Sequence, residues 1–146
     1  NCGNYPMTIV IPAVGHRVIA VGALDPYTMK LAPFSSIGTT VDLRIKPECV
    51  GAGVNVVAPL AKDSLIATQL PDLVINKYYV RLSGTSMSAP CVSGVIACYI
   101  EYYRYWFGKT PSFDKVIEFL ENNCKRLNKI MGKDPVTGYG IPQVPP

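Results

Sequence analysis

Over residues 86–107 apolar side chains recur at intervals of three and four: Val92, Val95, Ile96, Tyr99, Ile100 and Tyr103. Residues so spaced share one face of a helix, and the pattern predicts a single long helix. Gly94, Ala97 and Cys98 are small, and apolar cover runs most of the way round the first half of this stretch. A helix of that kind belongs in the middle of a domain, with other elements packed on several sides. Gly108 is placed to end it.

Strands must supply that cover. Residues 17–22, Arg-Val-Ile-Ala-Val-Gly, predict a strand covered on both faces. Lys46-Pro47-Glu48-Cys49-Val50 and then Gly51-Ala52-Gly53 lead into a second buried strand at 54–58. Residues 76–82 alternate loosely and predict a strand ending just before Gly84. Residues 1–16 read as a loop with one apolar run at 8–11, Asp25-Pro26 as a turn, 32–36 as a loop of small residues, and 59–75 as irregular chain. Beyond Gly108, Thr110-Pro111 offers a cap and a first-turn proline. Phe113, Val116, Ile117 and Leu120 then form the stripe of an amphipathic surface helix. Residues 138–142 read as turn and coil. Buried strands joined by helices make an α/β fold, which sets functional residues at the carboxyl ends of its strands.

Composition narrows the function. Apolar residues make up 49% of the 146 and charged residues 16%, a globular chain long enough for one domain. The longest apolar runs, 18–23 and 54–60, are too short to span a bilayer. The net charge of +4 is spread out, and its densest stretch, Lys125, Arg126, Lys129 and Lys133, reads as a solvated face at the end of a helix and not as a nucleic-acid patch. Five cysteines, Cys2, Cys49, Cys91, Cys98 and Cys124, leave at least one thiol unpaired within the chain. Cys91 and Cys98 lie about 10.5 Å apart along the predicted helix, beyond disulfide reach. No zinc-ligand spacing is present, so small buried thiols are expected. Unpaired thiols lean weakly towards a reducing compartment. Asn1 stands where a complete product would have Met, and the first residues read as the inside of a domain. A fragment, or one chain of a cleaved protein, is expected.

The chemistry centres on Ser86. A serine hydroxyl attacks poorly until something positions it and takes its proton. Ser86 sits where a strand ends, beside Gly84, at the start of the long helix. Gly84 allows a tight turn and the approach of a substrate chain, and the helix start presents unpaired N–H groups to a developing oxyanion. Pro90 falls in the first turn, where its missing N–H would have had no intrahelical partner. A serine before a helix is ordinarily just an N-cap, and Gly-x-Ser alone does not separate the two roles.

The longer motif does separate them. Gly84-Thr85-Ser86-Met87-Ser88-Ala89-Pro90 resembles the nucleophile motif of subtilisin-like serine proteases, with Ser88 where many members have alanine. Residues 17–25, Phe34-Ser35-Ser36-x-Gly38, Lys46-Pro47-Glu48 followed by Gly51-Ala52-Gly53-Val54, and Gly138-Tyr139-Gly140-Ile141-Pro142 resemble further family segments in the same order. Cys91 takes the place of the family's non-catalytic histidine after the motif. The resemblance covers nearly the whole chain. It implies part of a three-layer, doubly wound, mostly parallel sheet, with a central buried helix starting at the nucleophile.

In that alignment Asn1-Cys2-Gly3-Asn4 falls on the oxyanion segment. The resemblance then implies that Ser86 is the nucleophile and Asn4 the oxyanion asparagine, with Cys2, Gly3, Val10, Gly84 and Thr85 against the substrate. Apolar Ile9, Val10 and Ile11 would floor a pocket for small or medium apolar side chains. The family's triad runs Asp, His, Ser along the chain. The one histidine, His16, follows Asn4 and lacks the family's small-residue context, which makes it a surface residue. Asp25 and Asp42 also fall at non-catalytic places. Residues 1–146 are therefore expected to be the C-terminal portion of one catalytic domain, inert without a partner segment carrying the Asp and His. A peptide or protein is the implied substrate.

No cofactor is needed for such chemistry. Structural calcium is common in the family, but no dense carboxylate loop is present. Secretion is also common there, so the compartment stays open. Two other functions remain possible at this stage. One is a pseudoprotease that kept the fold for binding or regulation. The other is an esterase, although the Gly-x-Ser-x-Gly elbow is lacking.

Overall fold

The computed structural model describes residues 2–145, so Asn1 lies outside the described residues. Two parallel strands, β1 (Val21–Leu24) and, after the short antiparallel pair β2 (Gly38–Thr39) and β3 (Ile45–Lys46), β4 (Cys49–Ala52), form the centre. Val21 pairs with Cys49 and Leu24 with Ala52. Next come β5 (Val56–Pro59), the short helix α1 (Leu65–Gln69), a 3₁₀ turn (Pro71–Leu73), β6 (Val74–Asn76) and β7 (Tyr79–Leu82). β7 lies between β5 and β6, antiparallel to both. The long helix α2 (Thr85–Phe107) follows, then α3 (Phe113–Asn123), and β8 (Cys124–Lys125) pairs with β9 (Ile141–Pro142).

Both expected buried strands are displaced. The first begins at Val21 and not at residue 17, because the backbone before it bonds to side chains instead of a ladder. Lys46 Nζ donates to the Val18 carbonyl at 2.6 Å, and Ala20 N–H donates to Glu48 Oε2 at 2.7 Å. The second buried strand is β4, where Cys49 and Val50 have no exposure, whereas Val57 in β5 is half exposed. Small residues suit β4 because α2 lies directly on it. A Cβ added at Gly51 would stand 2.8 Å from Ser88 Oγ and 3.1 Å from Val92 Cγ2. The stretch 76–82 is the end of one strand, a turn and another strand, and 141–142 pair with β8 where coil was expected.

α2 runs almost as its periodicity predicts. Ser88, Val92 and Tyr99 are its buried residues, and the Tyr99 ring stacks on Phe119 at 4.1 Å between centroids. Val116, Phe119 and Leu120 of α3 complete that core. Within this chain α2 is covered on one side. Cys91, Ser93, Gly94, Ala97 and Cys98 face outward, and a Cβ at Gly94 would meet nothing within 4 Å. The cap of α3 is Ser112, whose Oγ accepts from Lys115 N–H at 3.3 Å, and not Thr110. Thr110 Oγ1 accepts from Arg104 instead.

The thiols also differ from expectation. All five are free, but Cys2, Cys91 and Cys98 are exposed. Burial pushes the Cys49 thiol up, and the Cys124 thiol up to about 12. Among the described residues no helix is long and apolar enough to cross a membrane.

Candidate active site

Ser86 is the second residue of α2 and is exposed. No side chain caps this helix start, and the Ser88 N–H turns back to the Gly84 carbonyl at 3.4 Å. The Gly84 N–H donates to the Gly53 carbonyl at 2.8 Å, and the Gly84 carbonyl accepts from Met87 N–H at 3.1 Å. Contrary to expectation, Gly84 makes no tight turn. Its backbone is extended, and a Cβ would meet Met87 Sδ at an ordinary 3.5 Å. Pro90 is also deeper than expected. It is the sixth helical residue, and a residue there would normally donate to the Ser86 carbonyl.

Ser88 ties this turn down. It is fully buried, and its hydroxyl donates to the Gly22 carbonyl of β1 at 2.6 Å.

The segment carrying Asn4 docks on the small-residue loop. Cys2 N–H donates to Ser36 Oγ at 3.0 Å and Asn4 N–H to the Pro33 carbonyl at 3.1 Å. Gly3, between them, has φ of +82°, a conformation that favours glycine. Ser35 Oγ in turn accepts from Ala23 N–H of β1 at 3.0 Å. A small cavity of about 50 Å³ opens among Val10, Gly22, Ser35, Ser36, Pro47 and Thr85. The structure thus brings Val10 and Thr85 to one hollow and links it through Ser36 to Cys2. The Asn4 side chain is exposed. A wider apolar depression of about 690 Å³ opens among Ile9, Val10, Ile11, Val14 and Val41, with Asp42 and Arg44 at its edge.

His16 lies at the surface, its side chain 79% exposed and its Nε2 4.0 Å from Asp42 Oδ2. Asp42 is taken up by Arg44 and Thr40, whose hydrogen bonds hold its carboxyl down at about 2. Asp25 is held below its ordinary value by the Tyr27 N–H in its own turn.

The basic stretch is no helix face. α3 ends before it, Arg126 donates to the Gly132 carbonyl at 2.6 Å, and Lys133 reaches Glu48 at 2.6 Å. Glu48 also pairs with Lys46 at 2.9 Å, with both side chains buried. Two buried carboxylates are already engaged. Glu48 is engaged by two lysines, and Asp134 accepts from Asn128, Val136 and Thr137. Among the described residues no group of three or more His, Cys, Asp or Glu could hold a metal ion.

Sequence reasoning missed two polar groups here. Ser88 was visible as a variation within its motif, but nothing local predicts a partner 66 residues away. The Glu48 to Lys133 pair spans 85 residues, with no local signal at all.

Comparison with known proteins bears on the whole arrangement. The chain is 34% identical over 132 residues to the serine protease AprX of Bacillus subtilis, covering 86% of this chain and 29% of that protein. It is 38% identical over 94 residues to the subtilisin-like protease PopC of Myxococcus xanthus, covering 64% of this chain and 18% of PopC. The chain therefore spans less than a third of these relatives. The crystal structure of a lanthipeptide protease superposes with a TM-score of 0.72 at 26% identity, over 90% of this chain and 40% of that one. The CspB protease of Clostridium perfringens superposes at 0.70 and 28% identity, over 92% of this chain and 27% of that one. These likenesses bear out the α/β, subtilisin-like architecture. The profile of the subtilase family, peptidase S8, matches residues 1–140, and with relatives and fold agreeing along almost its full length, this chain belongs to that family.

Proposed function

We propose that the chain is the C-terminal portion of a subtilisin-like serine endopeptidase domain, with Ser86 as nucleophile and Asn4 as oxyanion donor. The observation that carries this reading is Ser86 standing exposed in an uncapped helical turn. A histidine on an upstream segment takes the Ser86 proton as the oxygen attacks a peptide carbonyl carbon. The Asn4 amide and the Ser86 backbone N–H hold the resulting oxyanion. The amine leaves with the proton from the histidine, and water then hydrolyses the ester on Ser86. Cys2, Gly3 and Gly84 offer backbone to the substrate chain, while Val10 and Thr85 bound a pocket for small or medium apolar side chains. The chemistry calls on no cofactor.

The partner segment supplies the Asp and the His, since His16 is turned to solvent beside Asp42. The outward face of α2 supports such a partner. Cys91, Gly94, Ala97 and Cys98 form a small-residue surface of the sort that close packing uses, and space is open over Gly94.

A fluorophosphonate probe, which labels activated serines, tests the reading. The isolated chain should not label, and the chain together with its upstream segment should. Ser86→Ala should abolish labelling. Asn4→Ala should slow turnover by about a hundredfold to a thousandfold, a magnitude that comes from subtilisin, a member of this same family. No labelling of the completed protein would favour the pseudoprotease, and strong labelling of the isolated chain would mean that another base serves Ser86.

A further inference from the structure

Two features weaken the hold on the turn that carries Ser86. Pro90 has no N–H, so the intrahelical bond that would reach back to the Ser86 carbonyl cannot form. The proline ring also crowds that carbonyl, which loosens the first turn from the body of α2. No side chain caps the turn from in front. Backbone alone holds it there, through the Gly84 N–H on the Gly53 carbonyl at 2.8 Å, and a turn loosened from the helix behind it needs a second hold if a side chain on it is to keep one position.

We infer that Ser88 is the positioning residue for Ser86, pinning the loosened first turn of α2 to the parallel sheet through its hydroxyl. The Ser88 side chain is 0% exposed and donates to the Gly22 carbonyl at 2.6 Å, in the short range for a hydroxyl donor. Gly22 is itself fixed in β1 opposite Val50. Gly51, on the neighbouring strand, leaves the room that the hydroxyl occupies, since a Cβ there would stand 2.8 Å from Ser88 Oγ. Ser88 lies two residues after Ser86, roughly 200° round the helix at 3.6 residues per turn. Its bond to the sheet therefore holds the turn with Ser86 directed away from the sheet, towards the open side. Gly22 also lines the small cavity with Thr85 and Val10. One bond thus sets the nucleophile relative to the pocket.

This inference rests on Ser86 being the nucleophile, and the test separates the two. In the active protein, with the Asp- and His-bearing segment present, Ser88→Ala removes one oxygen and installs the strongest helix former. Active sites are counted by titration of Ser86, so that misfolded molecules do not enter the rate. The expected result is a kcat per titrated site lower by about tenfold to a hundredfold, with KM for a peptide ester nearly unchanged. Ser88→Cys, which keeps a weak donor, should recover part of that loss. Unchanged kcat per site in Ser88→Ala would overturn the inference while leaving Ser86 as nucleophile. So would a cysteine variant no better than alanine, because a donor returned at the same position would then restore nothing. A wild-type protein that neither labels nor cleaves would remove the reading of Ser86 and this inference with it.

Discussion

The parallel pair β1 and β4 and the antiparallel arm of β5, β7 and β6 both adjoin the start of α2, but they are held there in different ways. In the parallel pair Ala23, Cys49 and Val50 are fully buried. Side chains from elsewhere also bond its flanking backbone, through Ser35, Glu48, Lys46 and Ser88. The arm has its backbone ladder and little beneath it. Val80 is the buried hydrophobic residue of its three strands, α1 buries none of its residues, and Leu65, Leu70, Leu73, Ile75 and Tyr78 are exposed. The lesson is that continuity with the turn that carries Ser86 and support for it are separate properties. β7 leads into α2 along the chain, yet the side chains that hold α2 reach β1 and β4. Substitutions should accordingly count heavily on one side of Ser86 and lightly on the other.

The largest effect on stability belongs at Glu48. Its carboxylate neutralises Lys46 in a site where the two side chains are 7% and 3% exposed, and it also binds Lys133 and the Ala20 N–H. Glu48→Ala leaves the Lys46 ammonium buried without a counter-charge, which costs about 3–5 kcal/mol. Chemical unfolding should show a free energy of unfolding lower by that amount. Replacing the pair together, as Lys46→Met with Glu48→Leu, should recover part of it, because the buried Lys46 charge goes too, while Lys133 and the Ala20 N–H still lose their partner. A small loss in the single variant would erase the contrast between the two regions.

A smaller effect sharpens the same contrast at the turn that packs behind Glu48. Tyr139 N–H donates to the Glu48 carbonyl at 2.8 Å, and Asp134 closes the preceding turn. Burial alone would raise the Asp134 carboxyl, but hydrogen bonds from Thr137, Asn128 and Val136 outweigh it and hold the group below its ordinary 3.8. A depressed carboxyl stabilises the fold above its unfolded value, and that contribution is lost as pH falls through the folded value. Wild type should therefore weaken on acidification below 3.8. Asp134→Asn should be less stable near neutrality but should lose less on acidification. Unfolding midpoints at about pH 3 and about pH 6 read the difference.

Much of this was legible in the sequence where the signal was local and repeated. The spacing of Val92, Val95, Ile96, Tyr99 and Tyr103 placed α2 to within a residue of its start, because a helix bonds only to its own near neighbours. The motif around Ser86 fell at that start as expected. Strands were harder, since pairing is decided by a distant partner. The β-branched run at 54–58 looked the more buried, yet Cys49-Val50-Gly51-Ala52 took the centre because only small residues admit α2 so closely. The strand expected from residue 17 starts later, because Lys46 and Glu48 bind the backbone that would have extended it. Neither Ser88 nor Glu48 announces its partner, since each reaches across the fold to a residue that local pattern cannot identify.

The smallest effects belong to the arm, and they are the most direct way to break the comparison. Leu65 is 70% exposed and Ile75 46%, so replacing either with a polar residue removes little apolar surface from a buried site. Leu65→Ser and Ile75→Thr should each change unfolding stability by no more than about 0.5 kcal/mol, the usual range for substitutions away from cores, caps and buried charges. Val80 supplies the control within the same arm, because it is 2% exposed and lies in the central strand of the three. Val80→Ala should cost about 1.5–2 kcal/mol for the two methylene equivalents it withdraws from burial. If Leu65→Ser and Ile75→Thr cost as much as Val80→Ala, their side chains must be covered in the working protein. The arm would then count as part of an interface, and its weak support within this chain would mark a surface that the upstream segment or a substrate completes.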